Sequence, residues 1–444
     1  ASTVVAVRPT TAPQAPILAS GNVVTSVLNP TWIQQSLAQQ GGLPVTYVAT
    51  ATAAGLPAIT CTTISNTCAF VGLSAGINYS LALVATNTRG SVSAVTEFKP
   101  ADEYYSSQWH LFSAYGINLP KAWNYTRGTK SIVVAVIDSG ITKHPDLDSQ
   151  VVPGYDFVSN KNRSNDGDGW DADPSDPGDY YTDSRGNFVE SSWHGTHVAG
   201  TVAGTRYGVA KKATIVPIRV LGCSGSGSFS LFITAMDWII ANHPAGTPGV
   251  MNASLGGGKY QLANDAVQKL FAAGITPVLA AGNENTDACS RTPASTPKAI
   301  TVGASTNTDS RASFSNFGDC VDVFAPGVGI MSNNYVDTAT GRSLSGTSMA
   351  APHVAGLAAL YLADNKTATV PQVTAAIQAG AQAGQILDAK SVNGNYLINT
   401  RFTNAALPPV GAPTGLAASA ITATGATISW SAPAGTQAAN SYKV

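Results

Sequence analysis

The 444-residue chain carries 24 Lys+Arg against 25 Asp+Glu, a formal net charge of −1, and only 11% of its residues are charged. That balance gives no sign of the basic surface that nucleic acid or an anionic membrane selects, and no apolar run approaches the roughly 20 residues of a membrane-spanning helix. The length allows two or three domains, and a surface resting on Ser, Thr, Asn and Gly suits a secreted protein.

The chain opens at Ala1 with neither a methionine nor a signal-like segment, and reads as a processed product. Residues 1–101 hold short strand patterns broken by Gly, Pro and Asn, with no helical period. Residues 43–52 and 73–87 alternate apolar and polar side chains. With Trp32 as a core residue and Tyr79 at a strand corner, this segment resembles a fibronectin type III sandwich. Such a module implies an extracellular polymer or protein as its ligand.

From residue 102 to 403 the pattern changes. Residues 132–137 form an almost purely apolar run, as expected of a strand buried on both faces. Similar runs cover 215–221, 249–253, 276–281 and 299–302, with helix-like stretches at 229–243, 261–273 and 347–363. The alternation predicts an α/β fold with a doubly wound parallel sheet. Ligands of such sheets sit at the carboxyl ends of the strands, where Asp138 and Asn283 fall. Residues 404–413 have the Pro/Ala composition of a linker, and 414–444 repeat the opening strands of the first module. About 30 residues are too few for a second sandwich of ~100.

Three segments carry the chemistry. Gly346-Thr347-Ser348-Met349-Ala350 puts a serine at the start of a helix-like run, where free backbone N–H groups favour a developing anion. Val136-Ile137-Asp138-Ser139-Gly140 supplies a carboxylate, and His194-Gly195-Thr196-His197-Val198-Ala199-Gly200 an imidazole. Serine is a weak nucleophile that needs a base. An imidazole can accept its proton and return it to the leaving amine, and a carboxylate on the other ring nitrogen fixes the tautomer. Each motif alone suits a turn or a cap, but all three in one order do not.

Together the segments resemble the subtilisin-like serine proteases, whose known order is Asp…His…Ser. The resemblance covers about residues 103–400, and the segments 221–227, 254–258 and 312–318 are most similar to the proteinase K and aqualysin branch. It implies Ser348 as nucleophile, His194 as general base and acid, and Asp138 as the orienting carboxylate. Asn283, with the Ser348 backbone N–H, is implied as the oxyanion donor. Gly225, Ser226, Gly227, Ser254, Leu255 and Gly256 match the two segments that hold the substrate as an added β-strand. Gly256–258 with Ala280, Ala281 and Gly282 leave the first specificity pocket wide and uncharged, which predicts large apolar or aromatic residues there. His197, His353, Thr347 and Ser345 read as structural or capping neighbours. A lipase-type Gly-x-Ser-x-Gly elbow does not fit around Ser348. The alternative is a non-catalytic, protease-like binding or adhesion protein, which would be expected to lack a triad member or Asn283.

The reading implies a secreted, monomeric endopeptidase acting on protein or peptide substrates, with calcium as structural support. Asp166, Asp168, Asp171, Asp173, Asp176 and Asp179 crowd into one loop rich in Gly and Pro, whose repulsion a hard cation would offset. Its register is not that of a calcium-binding helix–loop–helix, and a solvated acidic loop is the alternative. The resemblance implies a second calcium site at Asp322 with the Pro297 and Ala299 carbonyls. Among the cysteines, Cys61 and Cys68 are spaced for a hairpin disulfide. The resemblance pairs Cys289 with Cys320. It also leaves Cys223 unpaired, since Ser191-Ser192-Trp193 stands where its partner would be. All five thiols reduced and buried is the other possibility.

Overall fold

In the computed structural model the buried apolar runs assemble into one nine-stranded sheet. Described are residues 11–16, 22–24, 27–29, 35–36, 39–40, 43–53, 58–65, 70–71, 79–98, 107–112, 115–123, 126–391, 395–399, 414–419 and 427–431. The chain divides into two units, Ala1–Trp109 and His110–Val444.

Across the sheet of the second unit the order is Gln382–Ala383, Tyr396–Leu397, Val323–Pro326, Ile300–Ser305, Ile275–Ala280, Gly249–Ala253, Val133–Asp138, Thr214–Arg219 and Tyr155–Asp156. All neighbours are parallel except the first pair. Val133–Asp138 sits inside the sheet, between Thr214–Arg219 and Gly249–Ala253, and Asp138 pairs with Arg219 at its carboxyl end.

Helices cover both faces. Ala135 and Ile137 join a core with Phe232, Met236, Val267 and Leu270 from the helices Phe229–Asn242 and Gln261–Ala272. The pleat turns Val134 and Val136 the other way, toward the side where His194–Ala203 and Thr347–Asp364 pack on the sheet. The Thr347–Asp364 helix is buried nearly all round, because Ala and Gly let strands and a second helix approach it closely. Among the described residues no helix is long and apolar enough to cross a membrane.

In the first unit, Asn22–Val24, Val27–Asn29 and Phe70–Val71 form one antiparallel sheet, and Ile59–Thr63, Thr46–Thr52, Tyr79–Asn87 and Gly90–Phe98 another. Phe70 of the smaller sheet is buried with Tyr47, Tyr79, Leu81 and Leu83 of the larger. Trp32 and Cys68 lie outside the described residues; Cys61 is disulfide-bonded. The linker at 404–413 also lies outside them, and the strands Thr414–Ser419 and Thr427–Ser431 pair antiparallel.

Candidate active site

Asp138 ends its strand fully buried, its side chain 1% exposed. Its Oδ1 accepts from the Ser139 N–H at 2.8 Å and from His194 Nδ1 at 2.7 Å. His194 is the first residue of its helix, and Trp193 before it takes a left-handed conformation at φ 51°. That conformation is strained for a large side chain, and the Trp193 ring packs 4.2 Å from that of Tyr335. Gly195 explains the approach of helix to strand: a Cβ there would meet the Gly140 carbonyl oxygen at 2.1 Å. Burial works against a charged His194, but the Asp138 charge and hydrogen bond, helped by Asp179 and Asp176, outweigh it and raise the imidazole above its ordinary pKa of 6.5.

Ser348 lies in the first turn of Thr347–Asp364, half-buried. Its hydroxyl donates to the Ser254 carbonyl at 3.1 Å, and Ser254 Oγ donates to the Ser348 carbonyl at 2.9 Å. Pro352 makes the second bond available. It has no N–H for the carbonyl four residues back, so the Ser348 carbonyl is open to a partner from another segment. The hydroxyl therefore rests on Ser254 and not on His194.

Asn283 follows the end of Ile275–Ala280 by three residues. Its Oδ1 accepts from the Thr347 N–H at 2.8 Å and from Thr347 Oγ1 at 2.9 Å. That fixes the amide, with Nδ2 left to point elsewhere. A Cβ built on Gly346 would lie 3.5 Å from Asn283 Nδ2 and 3.6 Å from the Ser348 nitrogen, so both donors border one small space. Thr347, which sequence reasoning took only as a cap, is thus the clamp of Asn283. The Ser/Thr N-cap preference next to a nucleophile hid this, and only the long-range bond reveals it.

A cleft of about 360 Å³ gathers all six expected substrate-contact residues, Gly225 to Gly227 and Ser254 to Gly256. His194, Ser139, Ser192 and Asp179 also line it, as do Phe229 and Phe232. Asp179, Ser192 and the two phenylalanines were not singled out as cleft residues from the sequence. The motif neighbours have other tasks. His197 Nε2 lies 3.1 and 3.0 Å from the carbonyls of Ile330 and Arg342, and burial pushes the ring down to about 3. His353 Nδ1 donates to the Met349 carbonyl, so its Nε2 accepts from His110 Nδ1 at 2.7 Å.

The acidic loop does not converge. Among the described residues no three His, Cys, Asp or Glu side chains are grouped to hold a metal. Asp166 instead meets the buried Arg219, which also binds Asp156 and the Ser164 carbonyl. Asp171 and Asp173 accept from N–H groups of their own loop, Asp168 donates its N–H to Asp166, and Asp176 accepts from Ser139 Oγ and the Gly178 N–H. The internal cation of this loop is a guanidinium. Asp322 is different. Its Oδ2 accepts from the Thr301 N–H at 2.8 Å, and burial pushes the carboxyl up to about 6. None of the ion pairs among the described residues includes it. Cys289 and Cys320 form a disulfide, and Cys223 is free with its Sγ 3.0 Å from Asn165 Oδ1.

A buried Asp bonded to a His, a serine at a helix start and an amide donor beside it, all at the carboxyl edge of a parallel sheet, are the parts of a serine hydrolase. The pattern of the Subtilase family matches residues 129–403, and the chain belongs to that family. It is 46% identical over 290 residues to an alkaline serine exoprotease A of Vibrio alginolyticus, covering 64% of this chain and 49% of that protein. It is 43% identical over 281 residues to an extracellular serine proteinase of a Thermus species, covering 63% and 62%. The chain thus spans about half to three-fifths of the length of these relatives. Of solved structures, a cold-adapted subtilisin-like serine proteinase aligns at 40% identity and TM-score 0.53, over 62% of this chain and 92% of that one. A protease from Pseudoalteromonas arctica aligns at 34% identity and TM-score 0.62, over 69% and 98%.

Proposed function

We propose that the chain is a secreted serine endopeptidase that cleaves peptide bonds through an acyl-enzyme on Ser348. The observation that carries this reading is the 2.7 Å bond from His194 Nδ1 to the buried Asp138 carboxylate. It fixes the tautomer with Nε2 free to accept a proton. A substrate strand entering along Gly225–Gly227 and Ser254–Gly256 displaces the Ser348 hydroxyl from the Ser254 carbonyl toward that Nε2. As Ser348 Oγ attacks the scissile carbonyl, His194 takes its proton, and Asp138 stabilises the imidazolium. The carbonyl oxygen becomes an oxyanion between Asn283 Nδ2 and the Ser348 N–H. His194 then protonates the leaving amine, and a water molecule releases the acyl group by the reverse sequence.

Large apolar or aromatic P1 residues are expected, from the small residues lining the first pocket. The branch nearest proteinase K and aqualysin is favoured by the segments around 221–227 and 254–258. Extracellular action is supported by the relatives' names, which include an extracellular basic protease of Dichelobacter nodosus. A fibronectin type III-like reading of the first unit is supported by its three- and four-stranded antiparallel sheets around a shared core, and makes it an extracellular binding module. Calcium fits Asp322, whose carboxylate has no ion-pair partner among the described residues, better than the acidic loop, where Arg219 already serves. Its chemistry there would be charge compensation and stiffening only.

Hydrolysis of a peptide p-nitroanilide with a P1 phenylalanine tests the reading. Turnover by this chain that vanishes in Ser348→Ala is expected. Equal rates in the two proteins, or none in either, would remove the proposal in favour of a binding protein.

A further inference from the structure

The cleft is not uniform in charge. Phe229, Phe232 and Leu255 are apolar residues of its lining, while Ser192, Ser226 and Asp179 are polar ones. Asp179 and His194 are the ionisable side chains among its lining residues. Asp179 is 8% exposed, and none of the ion pairs among the described residues includes it. Its Oδ1 accepts from the Ser192 N–H at 2.6 Å and its Oδ2 from Ser192 Oγ at 2.8 Å. A carboxylate has about four acceptor sites, so these bonds orient it without using its capacity.

Two features stand beside that carboxylate. Gly225 stands across from it with φ 58°, and a Cβ there would lie 3.3 Å from Asp179 Oδ2; glycine keeps the approach open. A second carboxylate, Asp176, stands behind Ser139 and takes its hydroxyl at 2.7 Å. A desolvated anion without a counterion is unfavourable, and a cation brought by the substrate would relieve it. Side chains of an extended strand alternate in direction. With P1 turned into the pocket beyond Ser254–Gly256, the P2 side chain faces the wall of His194, Ser192 and Asp179.

We propose that Asp179 makes this wall selective for a basic P2 side chain, Lys or Arg. The inference rests on the endopeptidase reading and adds a substrate preference to it. It also gives the end of the acidic loop a task other than holding a metal. The alternative is that Asp179 only ties its loop to Ser192.

Matched fluorogenic peptides that differ only at P2, arginine against its neutral isostere citrulline, decide between them on the full chain. The expected kcat/KM ratio is roughly tenfold or more in favour of arginine, as a close opposite charge in a partly desolvated site implies. Asp179→Asn should bring the ratio to within about threefold, and Asp179→Glu should retain most of it. A wild-type ratio near one, with both peptides cleaved, overturns the proposal and leaves the endopeptidase reading intact. So does an Asp179→Asn protein that keeps the wild-type ratio. Cleavage of neither peptide, with no covalent labelling of Ser348, removes the endopeptidase reading and this proposal with it. The wild-type comparison needs no substitution, so a variant that fails to fold does not spare the idea.

Discussion

Replacing Asn283 separates catalysis from stability. In Asn283→Ala the oxyanion loses one of its two donors, the Nδ2 amide, and keeps the Ser348 N–H. Removal of one such donor in a subtilisin slows turnover about 10²–10³-fold, ~3–4 kcal/mol of barrier, and that range is carried over to this chain. The structure adds a second effect. Asn283 Oδ1 is the acceptor for both the Thr347 N–H and hydroxyl, and Thr347 is fully buried. Leaving that N–H unpaired is expected to destabilise the fold by ~1–3 kcal/mol. Asn283→Asp keeps the acceptor while removing the donor, so it should lose turnover at least as severely and keep more stability than the alanine variant. Steady-state kinetics on a p-nitroanilide and urea unfolding of inhibitor-blocked protein measure the two effects. A kcat within tenfold of wild type in Asn283→Ala, or a loss confined to KM, would refute the oxyanion assignment.

Three further outcomes follow from the same geometry. His194 acts as a base only when neutral, and its pKa is raised, chiefly by Asp138 acting against burial. The acid limb of kcat/KM should therefore fall at a midpoint above pH 6.5, and Asp138→Asn should lower that midpoint and cut kcat roughly 10⁴-fold, a figure carried over from characterised triads; a midpoint below 6.5 in the wild type contradicts the pairing. His353 is buried and held down to about 4, so between pH 6.5 and 4 the unfolded chain binds a proton that the native chain does not. Stability should fall as pH drops through that window, by up to ~3 kcal/mol from this residue, and melts of His353→Gln should show a shallower dependence than wild type. If calcium binds at Asp322, removing it from a level of ~100 Kd should cost about 2.7 kcal/mol of stability, with no such loss in Asp322→Asn; identical melts with and without chelator argue against the site.

Much of this was legible in the sequence because the buried strands of a parallel sheet are unbroken apolar runs. Ile132 to Ile137 announced the strand that carries Asp138, and the Ala/Gly-rich run after Ser348 announced its helix. Short or polar elements were not legible. Val323–Pro326 contains a proline, and the hairpin of Ile330–Asn333 and Gly341–Leu344 has no clear alternation. The acidic loop was legible only in part, for a physical reason. Six aspartates near one another imply repulsion, but the cation that offsets it for Asp166 comes from Arg219, 53 residues away in sequence. Sequence proximity records the charges and not their partner. Asp179 shows the same limit: nothing local tells which of the six carboxylates turns into the cleft.

The central claim is that Ser348 is the nucleophile driven by His194. Intact-mass and peptide-level mass spectrometry after treatment with a fluorophosphonate tests it most directly. A single adduct is expected on the peptide containing Ser348, formed by wild type and lost in both Ser348→Ala and His194→Ala. No adduct on the wild type, or one placed on another serine, would contradict it.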